Sequence, residues 1–405
     1  MRKIFVVLFA VLLGFSELSA QVINNWRGPN RDGKYPDTGL LKVWPETGPT
    51  LKWSYETLGK GFTSPTVVNG KIYITGLEGE EGYLHILSLD GKLLKKFTYG
   101  KDVFSPSGFP GPRSSPLLDG KLCYLVSGFG KLVCLDTETE KVVWSKDLFA
   151  DFDGKNVTFN FTENMLIDGD KLYISPGGVV NNVVALNKKT GVIIWTSPGK
   201  GDLSAYCSPI LITHNGKRMF INMMAKNVIA LDPANGKLLW SFPYKNQTSI
   251  HPNAPIYFNG DVYVFSGYGY GGRKLTINPE GTGVTQAWSN TTADSQVGGA
   301  VLYDGYIYCS GDRNRKWFSV DWKTGLNKQE TTMLDKGTVI LAENLLYIYT
   351  EKGELALVQP DAGNLKLISK TMITKGSDQH WAHLVINNGT LYVRHGNALM
   401  AFNIK

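Results

Sequence analysis

Leu231-Asp232-Pro233-Ala234-Asn235-Gly236-Lys237-Leu238-Leu239-Trp240 is the unit from which this chain is built. An apolar strand ends in Asp, a tight turn follows, Gly236 supplies a positive φ, and a second apolar strand ends in Trp. The unit recurs from Leu186-Asn187 to Trp195 and from Leu135-Asp136 to Trp144, with weaker copies starting at Asp90, Asn278, Asp321 and Asp361. Ahead of each copy stands a hairpin: an apolar strand, an Asn-Gly or Asp-Gly turn, and a second strand rich in Tyr and Ile. The turns are Asn69-Gly70, Asp119-Gly120, Asp168-Gly169, Asn215-Gly216, Asn259-Gly260, Asp304-Gly305 and Asn388-Gly389. Such dipeptides favour type I′ turns. Glu343-Asn344 departs from the pattern, but its flanks Thr338–Leu341 and Leu345–Tyr349 still fit, which makes eight copies.

No stretch holds helical periodicity over three turns. Four-stranded units at roughly 40–50 residues predict an all-β, eight-bladed propeller of antiparallel blades. The chain ends support this. The last copy, Ala398 to Asn403, stops before a fourth strand, while Leu51-Lys52-Trp53-Ser54-Tyr55 is a fourth strand with no blade of its own. Joined, they complete the eighth blade and cover an open edge. The repeat Trp is expected to pack between blades.

Residues 1–20 read as a secretory signal: Arg2 and Lys3, an apolar run from Ile4 to Phe15, and Leu18-Ser19-Ala20 before a cleavage point at Gln21. No Cys stands there for lipid attachment, and the run is short for a membrane span of about 20 residues. A periplasmic or secreted protein without a transmembrane segment is expected. Residues 21–50 form a Gly-, Pro- and Asn-rich lead-in, and 51–405 a single propeller domain. The 42% hydrophobic fraction supplies a core and the 45 Gly supply turns. The net charge of +7 comes from Lys scattered along turns, a solvated surface rather than a nucleic-acid footprint. A monomer is expected. Of the four Cys, Cys123 and Cys134 lie on neighbouring strands of one predicted hairpin; they are either free thiols or a disulfide pair.

The pattern Leu-Asp-x-x-x-Gly-Lys-x-x-Trp resembles the blade motif of quinoprotein-type, pyrroloquinoline-quinone-like repeat propellers. Trp26-Arg27-Gly28-Pro29 through Gly33, Gly111 to Pro116, Ser266 to Gly269 and Trp381-Ala382-His383 are similar to one exported bacterial branch of that superfamily. Members of the branch carry names borrowed from alcohol dehydrogenases or from the outer-membrane assembly lipoprotein. The resemblance to the dehydrogenases would imply pyrroloquinoline quinone with Ca²⁺, an adjacent Cys pair against the quinone, a Glu, Asn and Asp around the metal, and a catalytic Asp. The sequence has no Cys-Cys, so the cofactor stays open.

In a propeller the first strand of each blade lines the channel, and the loops entering it crowd one mouth. Those loops offer Arg113, Ser114, Glu163, Tyr206, His251, Asn253, Gln296, His380, Trp381 and His383 as ligand-binding candidates. Arg113 offers a planar fork to a carboxylate or sugar hydroxyls, or bonds loop carbonyls. Glu163 is the carboxylate placed to act as a general base. Trp381, Tyr206 and Phe62 could stack on a sugar or quinone ring. His251, His380 and His383 would hold a metal only by meeting across the channel, so none is assigned. Arg313 and Arg315 read as solvent-facing, and Gly267 to Gly272 as a long loop. Three functions follow: a non-catalytic envelope module binding a glycan or envelope protein, a quinone-dependent alcohol or sugar dehydrogenase, and a metal-assisted carbohydrate-active enzyme. Whether it is an enzyme is undecided at this level.

Overall fold

The computed structural model describes residues 25–102 and 108–405; the signal reading and its cleavage point lie outside them. Eight separate antiparallel sheets follow one another along the chain, spanning 66–101, 117–147, 166–197, 210–243, 256–290, 300–331, 337–372 and 385–403. The first strands are short and buried, as in Leu117–Asp119 and Val385–Asn387. The fourth strands, such as Lys141–Asp147, alternate toward solvent and form the rim. Burial thus orders each blade from channel to rim.

Apolar side chains segregate into eight clusters, one at each blade–blade interface. There is no single core; each blade contributes one sheet face to each neighbour. Cys123 and Cys134 show the consequence. Cys123 pairs with Leu135 and Cys134 with Tyr124, so the period of two sends the thiols to opposite faces. Cys123 joins the cluster between blades one and two, Cys134 that between two and three, and both are free.

Six of the eight inner hairpins have both central residues at positive φ, as type I′ requires, and Glu343 (45°) with Asn344 (67°) is one of them. In blades two and three the pairing shifts, so that Gly120 and Gly169 take the first central position. The outer pair of strands carries a bulge at the same place in all eight blades. It falls between Leu238 and Trp240, and between Val142 and Trp144. That bulge turns the Trp toward the next blade. Trp195 lies on the turn of blade four and donates its indole N–H to Pro233 O at 3.1 Å. A Cβ on Gly236 would sit 2.6 Å from this ring, so the repeat glycine is needed both for its φ of +77° and for the close approach. Trp53, Trp144 and Trp288 repeat the contact on Gly91, Gly191 and Gly325.

Thr50–Tyr55 pairs with Ala398–Asn403, from Thr50↔Asn403 to Tyr55↔Leu399, and closes the ring through the eighth blade. It carries the shared bulge, between Leu51 and Trp53.

Residues 27–35 of the lead-in lie in the channel. Lys34–Tyr35 pairs in parallel with the first strand of blade seven, as a fifth, innermost strand. Below it Leu40 and Trp44 enter the cluster between blades seven and eight. The polypeptide therefore descends through the channel before building the ring around itself.

Candidate functional site

The turn Arg27–Gly33 spans the channel. Arg27 Nη2 donates to Ala300 O of blade six (2.8 Å) and Nη1 to Val339 O of blade seven (3.3 Å). Nη1 also donates to His383 Nδ1, at the entry to blade eight, at 2.8 Å. Across the ring, Arg31 donates to the carbonyl oxygens of Asn164 and Met165, at blade three. A Cβ at Gly33 or Gly299 would fall 2.5 or 2.2 Å from the Arg27 guanidinium, so two glycines form its slot. Burial lowers Arg27 and Arg31 to about 10, so both remain cationic at neutral pH. Since His383 Nδ1 accepts from Arg27, the ring is a neutral Nε2–H tautomer. Burial and the Arg27 charge push His383 well below its ordinary value.

Around this plug the entering loops are tied blade to blade. Ser64 Oγ donates to His383 O (3.0 Å), and Ser64 N–H donates to Ser115 Oγ (3.0 Å). Ser115 N–H donates to Asn164 Oδ1 (2.8 Å), and Asn164 N–H to Ser208 Oγ (3.1 Å). Gly299 N–H reaches Asn253 Oδ1 (3.1 Å). Small polar residues at the loop ends are thus spent on a girdle.

Above the girdle lies a cavity of about 310 Å³ with Trp26 on its wall. Its aromatic residues form two groups. Trp381 packs on Phe62 and Phe109, at 5.1 and 4.9 Å between ring centres; Phe159 and Tyr206 stand 6.2 Å apart. Tyr268 adds a hydroxyl that Gln296 Nε2 donates to at 2.7 Å.

Five of the ten candidates line this cavity: Arg113, Tyr206, Gln296, Trp381 and His383. The Arg113 guanidinium lies 5.2 Å above the Phe62 ring and donates to Phe109 O (2.8 Å) and Gly111 O (3.5 Å). Burial lowers it to about 10, against the raising field of Asp102. Ser114 and Asn253 belong to the loop ties: Ser114 Oγ accepts from Glu163 N–H at 3.2 Å. Glu163 is sealed below, its carboxylate accepting from Ser175 N–H (3.2 Å) and Asn222 Nδ2 (3.4 Å). Burial raises it to about 8 although Ser175 and Arg31 oppose this, so it is largely protonated at pH 7, and it is not among the cavity-lining residues. His251 is buried against Tyr244, 5.1 Å between ring centres. His380 is bonded to Tyr349 Oη and stacked 3.6 Å from His395. The three histidines do not converge, and no group of three or more His, Cys, Asp or Glu among the described residues is placed to hold a metal. Arg313 and Arg315 are exposed as expected, Arg315 paired with Asp335 at 2.7 Å.

Sequence reasoning missed Trp26, Phe109, Phe159 and Tyr268. Trp26 left a signal, a large aromatic in a polar lead-in outside the repeats. Phe109, Phe159 and Tyr268 sit in irregular loops where no pattern marks direction.

Residues 80–331 match a family model, PQQ_2, described as outer membrane protein assembly factor BamB. The chain belongs to the PQQ_2 family. Solved structures give the same architecture. BamB from Moraxella catarrhalis superposes with a TM-score of 0.62 at 13% identity, covering 88% of this chain and 99% of that one. Quinohemoprotein alcohol dehydrogenase from Comamonas testosteroni gives 0.66 at 12% identity, covering 95% and 80%. The dehydrogenase ADHIIG from Pseudomonas putida HK5 gives 0.65 at 13%, covering 94% and 80%. No curated protein matches the chain. At these identities the likeness is one of fold. The PQQ_2 repeat accounts for the ring, and the cavity must be judged on its own residues. These do not fit a quinone held with Ca²⁺: among the described residues the cavity lining contains no Cys and no carboxylate, and all four Cys are buried in strands or girdle loops.

Proposed function

We propose that this PQQ_2 propeller is an exported, non-catalytic recognition module of the cell envelope, periplasmic or secreted, holding a glycan or an envelope protein at its channel mouth. The observation that carries this reading is the blind aromatic cavity. Trp26 and the threaded segment lie below it, and among the described residues the ionisable lining groups besides the Tyr hydroxyls are Arg113 and the neutral His383. General acid–base chemistry needs a titratable group within reach of the ligand. The buried carboxyl groups near the loops, Asp102, Glu163, Asp202 and Asp294, are none of them among the cavity-lining residues.

The test is photocrosslinking in intact cells, with a photoreactive phenylalanine at Trp381 and, as control, at Leu326, which is 69% exposed on the rim. An envelope adduct specific to position 381 is the expected result; identical adducts from both positions would sink the reading. Purified protein is also expected to show no saturable absorbance change or melting shift with pyrroloquinoline quinone and Ca²⁺. Tight binding there would replace the module by a dehydrogenase.

A further inference from the structure

Resting on the mouth cavity as the binding site, we infer that its occupant is a protein segment, which inserts one aromatic side chain into the cavity and lies across the loops of blade three. The inference comes from counting what the cavity's polar groups already do.

A glycan presents many hydroxyls, each of which needs a partner once out of water. Much of the lining's polar capacity is already committed to the scaffold. Arg113 donates to two loop carbonyls. Asn164 is engaged at its carbonyl by Ser115 N–H and through its amide with Ser208. His383 Nδ1 is engaged by Arg27, and the Tyr206 hydroxyl accepts from Phe159 N–H at 3.0 Å. These bonds hold the scaffold together. What the walls present is ring surface: Trp381, Phe62 and Phe109 on one side, Phe159 and Tyr206 on another. With no carboxylate in the lining, a cationic ligand finds no counter-charge. An aromatic ring meets these walls edge or face on and asks for almost no hydrogen bonds. About 310 Å³ is at the lower end of small-molecule sites, which run from roughly 300 Å³, and suits an anchor better than an extended ligand.

The Tyr268–Gln296 pair adds the second element. Its internal bond uses one donor and one acceptor, and whichever way the amide lies, two donors and at least one acceptor remain. The C=O and N–H of a peptide backbone can engage one of each. The third element is outside the cavity. Antiparallel pairing returns the second strand of blade three to the mouth end, so the loop 175–182 and the entering loop 198–209 share the mouth face. They carry Val179 (68% exposed), Val180 (63%) and Leu203 (41%). The aliphatic tips are rigidly mounted. Asp153 accepts from the Val180 and Asn181 N–H groups, each at 3.0 Å, and buried Asn182 donates to Gly178 O (3.1 Å) and Asp202 O (2.5 Å), joining the two loops. These exposed aliphatic side chains offer a footing on the same face of the ring as the pocket.

Calorimetric titration of the full mature chain tests this with four probes: acetyl-Gly-Trp-Gly-amide, its Ala counterpart, 3-methylindole as the bare ring, and maltotriose. The Trp tripeptide is expected to bind saturably, at least tenfold more tightly than the Ala peptide or maltotriose. Trp381→Ala is expected to weaken it tenfold or more. Gln296→Leu is expected to weaken the tripeptide several-fold more than it weakens 3-methylindole. A tripeptide no better than 3-methylindole overturns the inference in favour of a small apolar ligand. Maltotriose binding that depends on Trp381, without tripeptide binding, overturns it and leaves the mouth as a glycan site. If no probe binds, both the inference and the proposed mouth site fall.

Discussion

Glu163 sits without solvent between Ser175 and Asn222, and burial raises its carboxyl to about 8. In the unfolded chain it titrates near 4.3. Between those values the folded state keeps a proton that the unfolded state has shed. Its contribution to stability is therefore complete below about pH 4.3 and is lost as pH rises through about 8. Glu163→Gln, which is neutral throughout, should flatten this dependence. The melting temperature of the native chain is expected to fall more steeply from pH 5 to 8.5 than that of the variant, in scans at matched ionic strength; parallel curves would place the carboxyl elsewhere. Gly236 and Gly216 give a second comparison. Both have positive φ, but a Cβ on Gly216 meets nothing within 4 Å, whereas one on Gly236 meets Trp195. Gly216→Ala should cost about 1 kcal/mol from backbone strain alone, and Gly236→Ala about 1–3 kcal/mol more from overpacking, by urea titration. The sequence announced Gly236 as a turn residue. That an indole from the preceding blade rests on it is a contact between strands about 40 residues apart, and only the joint recurrence of Gly and Trp hinted at it.

At the scale of elements, the closing strand was legible because two incomplete halves stood at opposite ends of one pattern. Thr50–Tyr55 restores the bulge and register that every other fourth strand shows. Its removal uncovers the edge of Ala398–Asn403 and one face of the cluster between blades eight and one. A chain lacking residues 51–55 is expected to melt lower and to aggregate through the exposed strand. Trp195→Ala, a truncation of a buried indole, should cost about 3–5 kcal/mol without opening the ring. Equal melting of the truncated and full chains would refute the closure. The inner hairpins were legible for the same reason, since Asn-Gly reports its own turn. The loops that wall the cavity were not. Whether Phe109 or Phe159 points inward depends on packing against blades distant in sequence, and irregular loops carry no period from which to read a face.

In the whole molecule, Arg27 is the residue on which blades six, seven and eight meet, through Ala300, Val339 and His383. Replacing it by Met leaves two buried carbonyls and a buried imidazole nitrogen without their donor. A loss of about 3–5 kcal/mol is expected in equilibrium unfolding. A loss below 1 kcal/mol would mean that water substitutes for the guanidinium. Nothing in the local sequence foretold this role, because Trp26-Arg27-Gly28-Pro29 reads as an isolated motif in a lead-in and its partners lie 312 and 356 residues away.

That separation has a temporal side. Synthesis runs from the N-terminus, so the segment that lies in the channel and the strand that seals the ring are made before the eight blades. Arg31 finds its partners in blade three, but those of Arg27, Lys34–Tyr35 and the closing strand lie in blades six to eight, the last to appear. Until Ala398–Asn403 emerges, Thr50–Tyr55 has no strand to pair with, and seven blades accumulate before the ring can close. Assembly of this ring is therefore a waiting problem, in which the oldest part of the chain must stay extended and unaggregated until the youngest arrives to receive it.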